Sequence, residues 1–369
     1  MREFMLTTII SYYVGYHRIQ HGRSAMTHAG ENMKAPSHTG SRRAGGPALR
    51  QNGHTVMSSR GSRRARVLRA VASATIQPVA AVAPVDVRTL PVARRLVDHA
   101  MRGVAPALGG TSVDHVRAEV DDVVLRAELV RAADVEDLSA AILYIHGGGF
   151  VAGSARGYRG VASRLSMATR LPVLVVDYRL APEHPSPAAQ SDVAAAYRWL
   201  VDQGYDPNRV IVSGDSAGGF LAADFVLMSA RAGVATPAGM VLFSPMADLG
   251  LSLVGAANTS SRDAFLSYAL SAKAVRHFTV DPVELCIEPG CALPPTLIQY
   301  GGAEFFAADA VALAERLRAA GARCDLQVWP DQTHVFQMMP ALVPEARVAF
   351  RAVGRYTDAI LARAEAAAS

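Results

Sequence analysis

The run Val212-Ser213-Gly214-Asp215-Ser216-Ala217-Gly218-Gly219 sets one serine between glycines two residues away on either side. An apolar stretch precedes it and a helical pattern follows. A sharp strand-to-helix turn of this kind needs small neighbours and presents its hydroxyl at the tip. The helix that starts there points free N–H groups and its positive dipole end at the same place. Such a serine could attack a carbonyl carbon, although five matching residues alone would also suit an ordinary tight turn. A second run, His146-Gly147-Gly148-Gly149-Phe150, follows another apolar stretch. Consecutive glycines let backbone N–H groups approach a ligand with no Cβ in the way, and such donors can hold the oxyanion of a tetrahedral intermediate. Phosphate binding would instead call for GxxxxGK[ST], which this loop lacks.

A nucleophilic serine requires a base, and the base an orienting acid. The histidines after Ser216 are His277 and His334. His277 falls in an Ala/Val/Phe-containing helical stretch and reads as a packed or surface residue. His334 lies in Trp329-Pro330-Asp331-Gln332-Thr333-His334-Val335-Phe336, a loop after the last expected strand. The acid belongs on the loop after the preceding strand, where Gly301-Gly302-Ala303-Glu304-Phe305 offers Glu304. Asp309 is the alternative acid. It opens a helical pattern whose Ala310, Leu313 and Leu317 should face the sheet, turning its carboxylate toward the helix N-terminus.

These residues must be carried by regular elements. Strands are expected at 113–120, 122–130, 140–145, 172–177, 209–213, 239–244, 296–300 and 323–329. Several are short unbroken apolar runs, such as Val173–Val176, which suit strands covered on both faces of a mostly parallel sheet. Helical patterns fall at 158–170, 187–203, 216–232 and 307–320, the last closed by Gly321. An amphipathic helix is expected over 88–103, ended by Gly103, with Leu90, Val92, Leu96, Val97 and Met101 available for its buried stripe. Alternation of this kind implies an α/β fold, a central sheet of about eight strands with helices on both faces.

Half of the 369 residues are hydrophobic, enough for a sizeable core, and the longest apolar runs stop short of a membrane span. Three cysteines, Cys286, Cys291 and Cys324, make neither a disulfide scaffold nor a CxxC metal pair. The net charge of +5 is unevenly placed: residues 1–75 hold 12 basic residues against Glu3 and Glu31, so the remainder is at −5. A basic footprint on the fold itself is therefore missing, and no nucleic-acid partner is expected.

Residues 1–75 read as a basic, unfolded extension, with 1–56 excluded from the fold because Met57 is a plausible start. Ser62-Arg63-Arg64 and the Ala/Val-rich run to Ala83 resemble a twin-arginine export signal, a minor alternative to a cytoplasmic location. Residues 76–110 are assigned to N-terminal cap helices, and 111–369 to the catalytic domain with a cap insertion at 248–290.

HGGGF, the stretch Asp177-Tyr178-Arg179-Leu180-Ala181-Pro182-Glu183-His184-Pro185, GDSAGG and the Thr-His-Val-Phe loop occur in this order. Together they resemble the hormone-sensitive-lipase-like (family IV) esterases over residues 85–369. The resemblance implies an α/β-hydrolase fold with a helical cap and cleavage of short- to medium-chain carboxylic esters, without metal or organic cofactor. By the family pattern Ser216 is the nucleophile, His334 the base and Glu304 the acid, and the N–H groups of Gly148, Gly149 and Ala217 form the oxyanion hole. His146, Gly147, Glu183 and Asp215 would organise the surrounding loops. The partner implied is a small ester; stable membrane insertion is not expected, and a homodimer is left open. Two departures stand out. Family members often carry aspartate where Glu304 falls, with Asp309 on the last acid of that motif. The segment from Ser271 to Pro295 looks shortened, placing Cys286 and Cys291 near the expected rim of the site. The rival reading is a catalytically inactive ligand-binding protein on the same fold, whose known relatives have lost the triad histidine; lyases on this scaffold have lost the serine.

Overall fold

The computed structural model describes residues 49–51, 54–82, 86–136, 139–257, 263–288 and 290–368. In chain order the elements are β1 (Leu49–Gln51), β2 (His54–Val56), α1 (Arg63–Val82), α2 (Leu90–Val104), β3 (Ser112–Val120), β4 (Val123–Arg131), β5 (Ala141–Ile145), α3 (Ala155–Thr169) and β6 (Val173–Val176). There follow α4 (Ala188–Asp202), β7 (Val210–Asp215), α5 (Ser216–Arg231), β8 (Gly239–Phe243), α6 (Ser252–Ala257), α7 (Tyr268–Phe278), β9 (Thr296–Gly301), α8 (Ala307–Ala319), β10 (Cys324–Trp329) and α9 (Glu345–Ala368).

One sheet holds ten strands in the order β1-β2-β10-β9-β8-β7-β5-β6-β4-β3. From β2 to β6 every neighbouring pair is parallel; β1 with β2, β4 with β6 and β3 with β4 are antiparallel. Side chains alternate across each central strand. Leu143 and Ile145 join the core beneath α4, α5 and α8, whereas Ile142 and Tyr144 join the one beneath α3 and α9. Burial on both faces is why these strands read as unbroken apolar runs. Ala310, Leu313 and Leu317 of α8 are buried as expected, and Gly321 follows that helix with φ +86°.

The N-terminal part departs from expectation. Residues 63–75, expected to be unfolded, belong to helix α1, Arg63–Val82. Ser62 fixes its start: its hydroxyl accepts from Ala65 N–H at 3.2 Å and donates to Glu345 at 3.1 Å. Ala65 and Ala72 are then buried. The excess of basic residues makes this segment read as an unfolded extension, yet its alanines favour helix and pack closely. β2, His54–Val56, lies before Met57 in the segment excluded from the fold, yet it extends the sheet along β10. Residues 1–48 lie outside the described part of the chain.

In α2 only part of the expected apolar stripe is covered: Leu90 is buried and Met101 half-buried. Val92 and Leu96 are 57% and 66% exposed, and the helix continues through Gly103 to Val104. Beside Leu90 the inward face also carries Arg94 and Asp98, whose polar contacts fix the rotation of the helix.

Candidate active site

The glycine loop, Ser216, Glu304 and His334 each follow the carboxyl end of a parallel strand (β5, β7, β9 and β10), where α/β sheets bind ligands. Ser216 has φ +53°, a conformation that costs a non-glycine residue energy and persists where the surroundings hold it. Phe150, Ser244 and Val335 around the same site also have positive φ. A Cβ on Gly218 would come within 2.2 Å of the Ile145 carbonyl, so the turn requires glycine there.

Ser216 Oγ lies 2.9 Å from His334 Nε2. The other ring nitrogen, Nδ1, faces Glu304 Oε1 at 3.9 Å, an ion-pair separation that leaves room to tighten. With the proton on Nδ1, Nε2 is free to accept from the serine. The second Glu304 oxygen accepts from Gly301 N–H and Ser244 Oγ, both at 2.7 Å. Burial pushes the Glu304 carboxyl up against the pull of these partners. Burial also opposes an imidazolium at His334, but the Glu304 carboxylate, then Asp263 and Asp215, outweigh it and raise the histidine above its ordinary value.

Asp309 goes elsewhere. It is fully buried, and Oδ1 accepts from the N–H groups of Ala247 at 2.9 Å and Asp248 at 3.1 Å, fastening the loop after β8. Burial raises it to about 7. The structure thus brings Glu304, and not Asp309, to His334; the Asp309 carboxylate reaches across to a neighbouring loop rather than only along its own helix.

Gly148 and Gly149 line the cavity beside Ser216 and His334. Gly148 has φ +115°, and a Cβ there would meet the Ala152 carbonyl at 2.2 Å. Ala217 stands in the first turn of α5, where an N–H has no acceptor within the helix. Gly147 N–H is committed to Asp215 Oδ1 at 2.9 Å. Asp215 also accepts from Tyr144 at 2.8 Å and Tyr158 at 3.1 Å, and burial lifts it to about 6. This carboxylate therefore ties the glycine loop to the base of the serine turn. His146 is buried against Tyr178, rings 4.3 Å apart, and burial lowers its pKa. Glu183 pairs with Arg94 through both oxygens, at 2.9 and 2.7 Å.

The cavity measures about 320 Å³, and its walls are largely apolar: Leu90 and Val97 from α2, Leu270 and Ala274 from α7, and Met246 and Phe306 near the serine. Cys286 and Cys291 are not among its lining residues, so the expected cysteines at the rim lie away from it. His277 lies in α7 and lines no part of the cavity.

Three site residues carry no motif. Ser244 directly follows β8, and a polar residue at the end of a central strand was a usable signal. Arg94 falls four residues after Leu90, in phase with the buried side of α2, where a charge is out of place. Asp263 had no local signal; it accepts from Phe305 N–H at 2.8 Å and so steadies the residue next to Glu304.

The serine, histidine and carboxylate at the edge of a parallel sheet, with a glycine loop beside them, define a serine hydrolase of the α/β type. The family described as "alpha/beta hydrolase fold" matches residues 142–338. Esterase LipU of Mycobacterium tuberculosis (strain ATCC 25618 / H37Rv) is 37% identical over 278 residues, spanning 71% of this chain and 91% of that protein. An acetyl-hydrolase of Streptomyces hygroscopicus is 36% identical over 236 residues, 62% of this chain and 78% of its own length. The crystal structure of an esterase from the bacterial hormone-sensitive lipase family superposes with a TM-score of 0.72 at 31% identity, covering 81% of this chain and 99% of that one. The chain belongs to this family, the hormone-sensitive-lipase-like esterases of the alpha/beta hydrolase fold.

Proposed function

We propose that the protein is a carboxylesterase that cleaves short- to medium-chain esters through an acyl-enzyme on Ser216. The observation that carries this reading is the 2.9 Å approach of Ser216 Oγ to His334 Nε2, at an apolar cavity beside Gly148 and Gly149. His334 takes the serine proton as Oγ attacks the ester carbonyl. Glu304 holds the tautomer and balances the imidazolium. The developing oxyanion is met by the N–H groups of Gly148, Gly149 and Ala217. His334 then protonates the departing alcohol, and water releases the acid by the reverse sequence.

A cavity of about 320 Å³ is at the small end of ligand pockets, which run from roughly 300 to 1,000 Å³. That size favours short acyl chains, as does the acetyl-hydrolase among the relatives. Among the described residues no helix is long and apolar enough to cross a membrane. The start of α1 is held through Ser62 on Glu345 and Gly61 on Asp331. These contacts support reading residues 62–82 as a cap helix in a cytoplasmic enzyme.

A ladder of p-nitrophenyl esters from acetate to long chains tests the reading, with Ser216→Ala as control. Turnover should peak at short or medium chains and vanish in the variant. Faster hydrolysis of emulsified long-chain triglyceride than of dissolved butyrate ester would overturn the chain-length part; tight ester binding without hydrolysis would favour the ligand-binding alternative.

A further inference from the structure

Arg94 makes four hydrogen bonds around the glycine loop although it sits on the cap helix α2. Its Nε donates to the Val151 carbonyl at 2.7 Å, and one terminal nitrogen donates to the Ala181 carbonyl at 2.9 Å. Both terminal nitrogens engage Glu183. Val151 closes the turn that begins at Gly148: Val151 N–H and Ala152 N–H donate to the Gly148 carbonyl at 3.2 and 3.0 Å. Ala181 N–H in turn donates to the Phe150 carbonyl at 3.0 Å. One guanidinium therefore braces the glycine turn directly and through the segment behind it. A second tie from the same helix runs from Ser154 Oγ to Asp98 at 2.9 Å. The adjoining side of α2 supplies Leu90, Ala93 and Val97 to the cavity wall.

We infer that Arg94 is a positioning residue for ester hydrolysis, holding the Gly148–Gly149 N–H groups on target and coupling them to the cap wall that an acyl chain would touch. A planar fork suits this role, because it meets a carboxylate with two nitrogens while a third contacts a carbonyl, which a lysine ammonium cannot reproduce. Glycine pays the largest entropy to be fixed, so the loop needs this brace in addition to the bond from Gly147 N–H to Asp215. The inference rests on the esterase reading, and its test has one readout that does not.

Arg94→Gln, Arg94→Lys and Arg94→Ala would be compared with the parent enzyme on p-nitrophenyl butyrate. A small displacement of donors suffices to lower kcat by up to about 100-fold, and both the Gln and Lys variants should show such a loss with KM little changed. Affinity for a trifluoromethyl ketone, which mimics the tetrahedral oxyanion, should fall in proportion. Added guanidinium ion, but not urea, should restore turnover to Arg94→Ala, since the arginine side chain is 22% exposed and its place can be reached from solvent. Amide exchange at Val151 and Ala152 should quicken in all three variants whether or not the ester is the true substrate. Parental exchange at those amides, or a fall in melting temperature with unchanged kcat and ketone affinity, would overturn the inference. An inactive parent enzyme with faster exchange in the variants would count against the esterase reading and leave the bracing role of Arg94 standing.

Discussion

The Ser244 hydroxyl donates to Glu304 Oε2 at 2.7 Å and accepts from Val335 N–H at 3.1 Å. One side chain at the end of β8 thus joins the loop that carries the acid to the loop that carries the histidine. Backbone bonds reinforce the link: Gly302 N–H donates to the Trp329 carbonyl at 2.8 Å and Ala303 N–H to the Gln332 carbonyl at 3.0 Å. Ser244→Ala removes a donor from Glu304 and strands the Val335 amide. Leaving a buried donor unsatisfied costs about 1–3 kcal/mol, so the melting temperature should drop together with kcat. Parental kcat and melting temperature in this variant would show that the hydroxyl holds neither loop.

Glu304 and Asp309 can be separated by two variants. Glu304→Gln should lower kcat on the order of 10⁴-fold, as loss of the orienting carboxylate does in serine proteases. Asp309→Asn should leave kcat near the parental value, because its amide oxygen can still accept from Ala247 and Asp248. Asp309→Ala should destabilise without specific loss of turnover, by about 1–3 kcal/mol for each stranded amide. Loss of activity in Asp309→Asn with retention in Glu304→Gln would reverse the assignment.

The pH dependence of catalysis has a defined sign. His334 must be neutral to take the serine proton, and its pKa is raised above the ordinary 6.5. Turnover should therefore fall as pH drops through a midpoint above that value. In Glu304→Gln the residual activity should show a lower midpoint, because burial is then opposed by less negative charge. A profile of kcat/KM against pH for both enzymes checks this, and an upward shift in the variant would contradict it.

Stability gives a second pH signature, from Asp309. Its folded pKa of about 7 exceeds its ordinary 3.8, so the folded state binds the proton more tightly. That contribution is fully present below 3.8 and is lost as pH rises through 7. Asp309→Asn should flatten the pH dependence of the melting temperature across this window relative to the parent. Identical pH dependence in the two proteins would exclude Asp309 as the source.

The sheet edge supplies a further test. β2 pairs in parallel with β10 through His54–Val56, and Met57 N–H donates to the Val328 carbonyl at 3.1 Å. A chain starting at Met57 should keep its turnover number, since among the described residues no cavity residue precedes Leu90. It should melt lower and self-associate more readily, because an uncovered strand edge offers unpaired backbone groups. An unchanged melting temperature would mean the edge strands contribute nothing.

Elements whose pattern is local were legible in the sequence. All eight expected strands form: β5 to β9 are covered on both faces and leave continuous apolar runs, β4 shows an alternating pattern, and the GDSAGG and HGGGF turns announce themselves through their glycines. Ser216, His334 and the glycine loop follow from these. The sequence set the rotation of α2 only in part: of its apolar stripe Leu90 is buried while Val92 and Leu96 face out, because polar bonds from Arg94 and Asp98 to distant loops share in deciding which side faces inward. Nor could it predict that α1 folds, since its anchor is Glu345, far along the chain. The choice between Glu304 and Asp309 belongs to tertiary structure too. Both acids follow β9 closely, and only the packing of α8 against the loop after β8 gives Asp309 other partners and leaves Glu304 facing His334. Local spacing determines which residues can do chemistry; contacts between distant segments determine which of them meet.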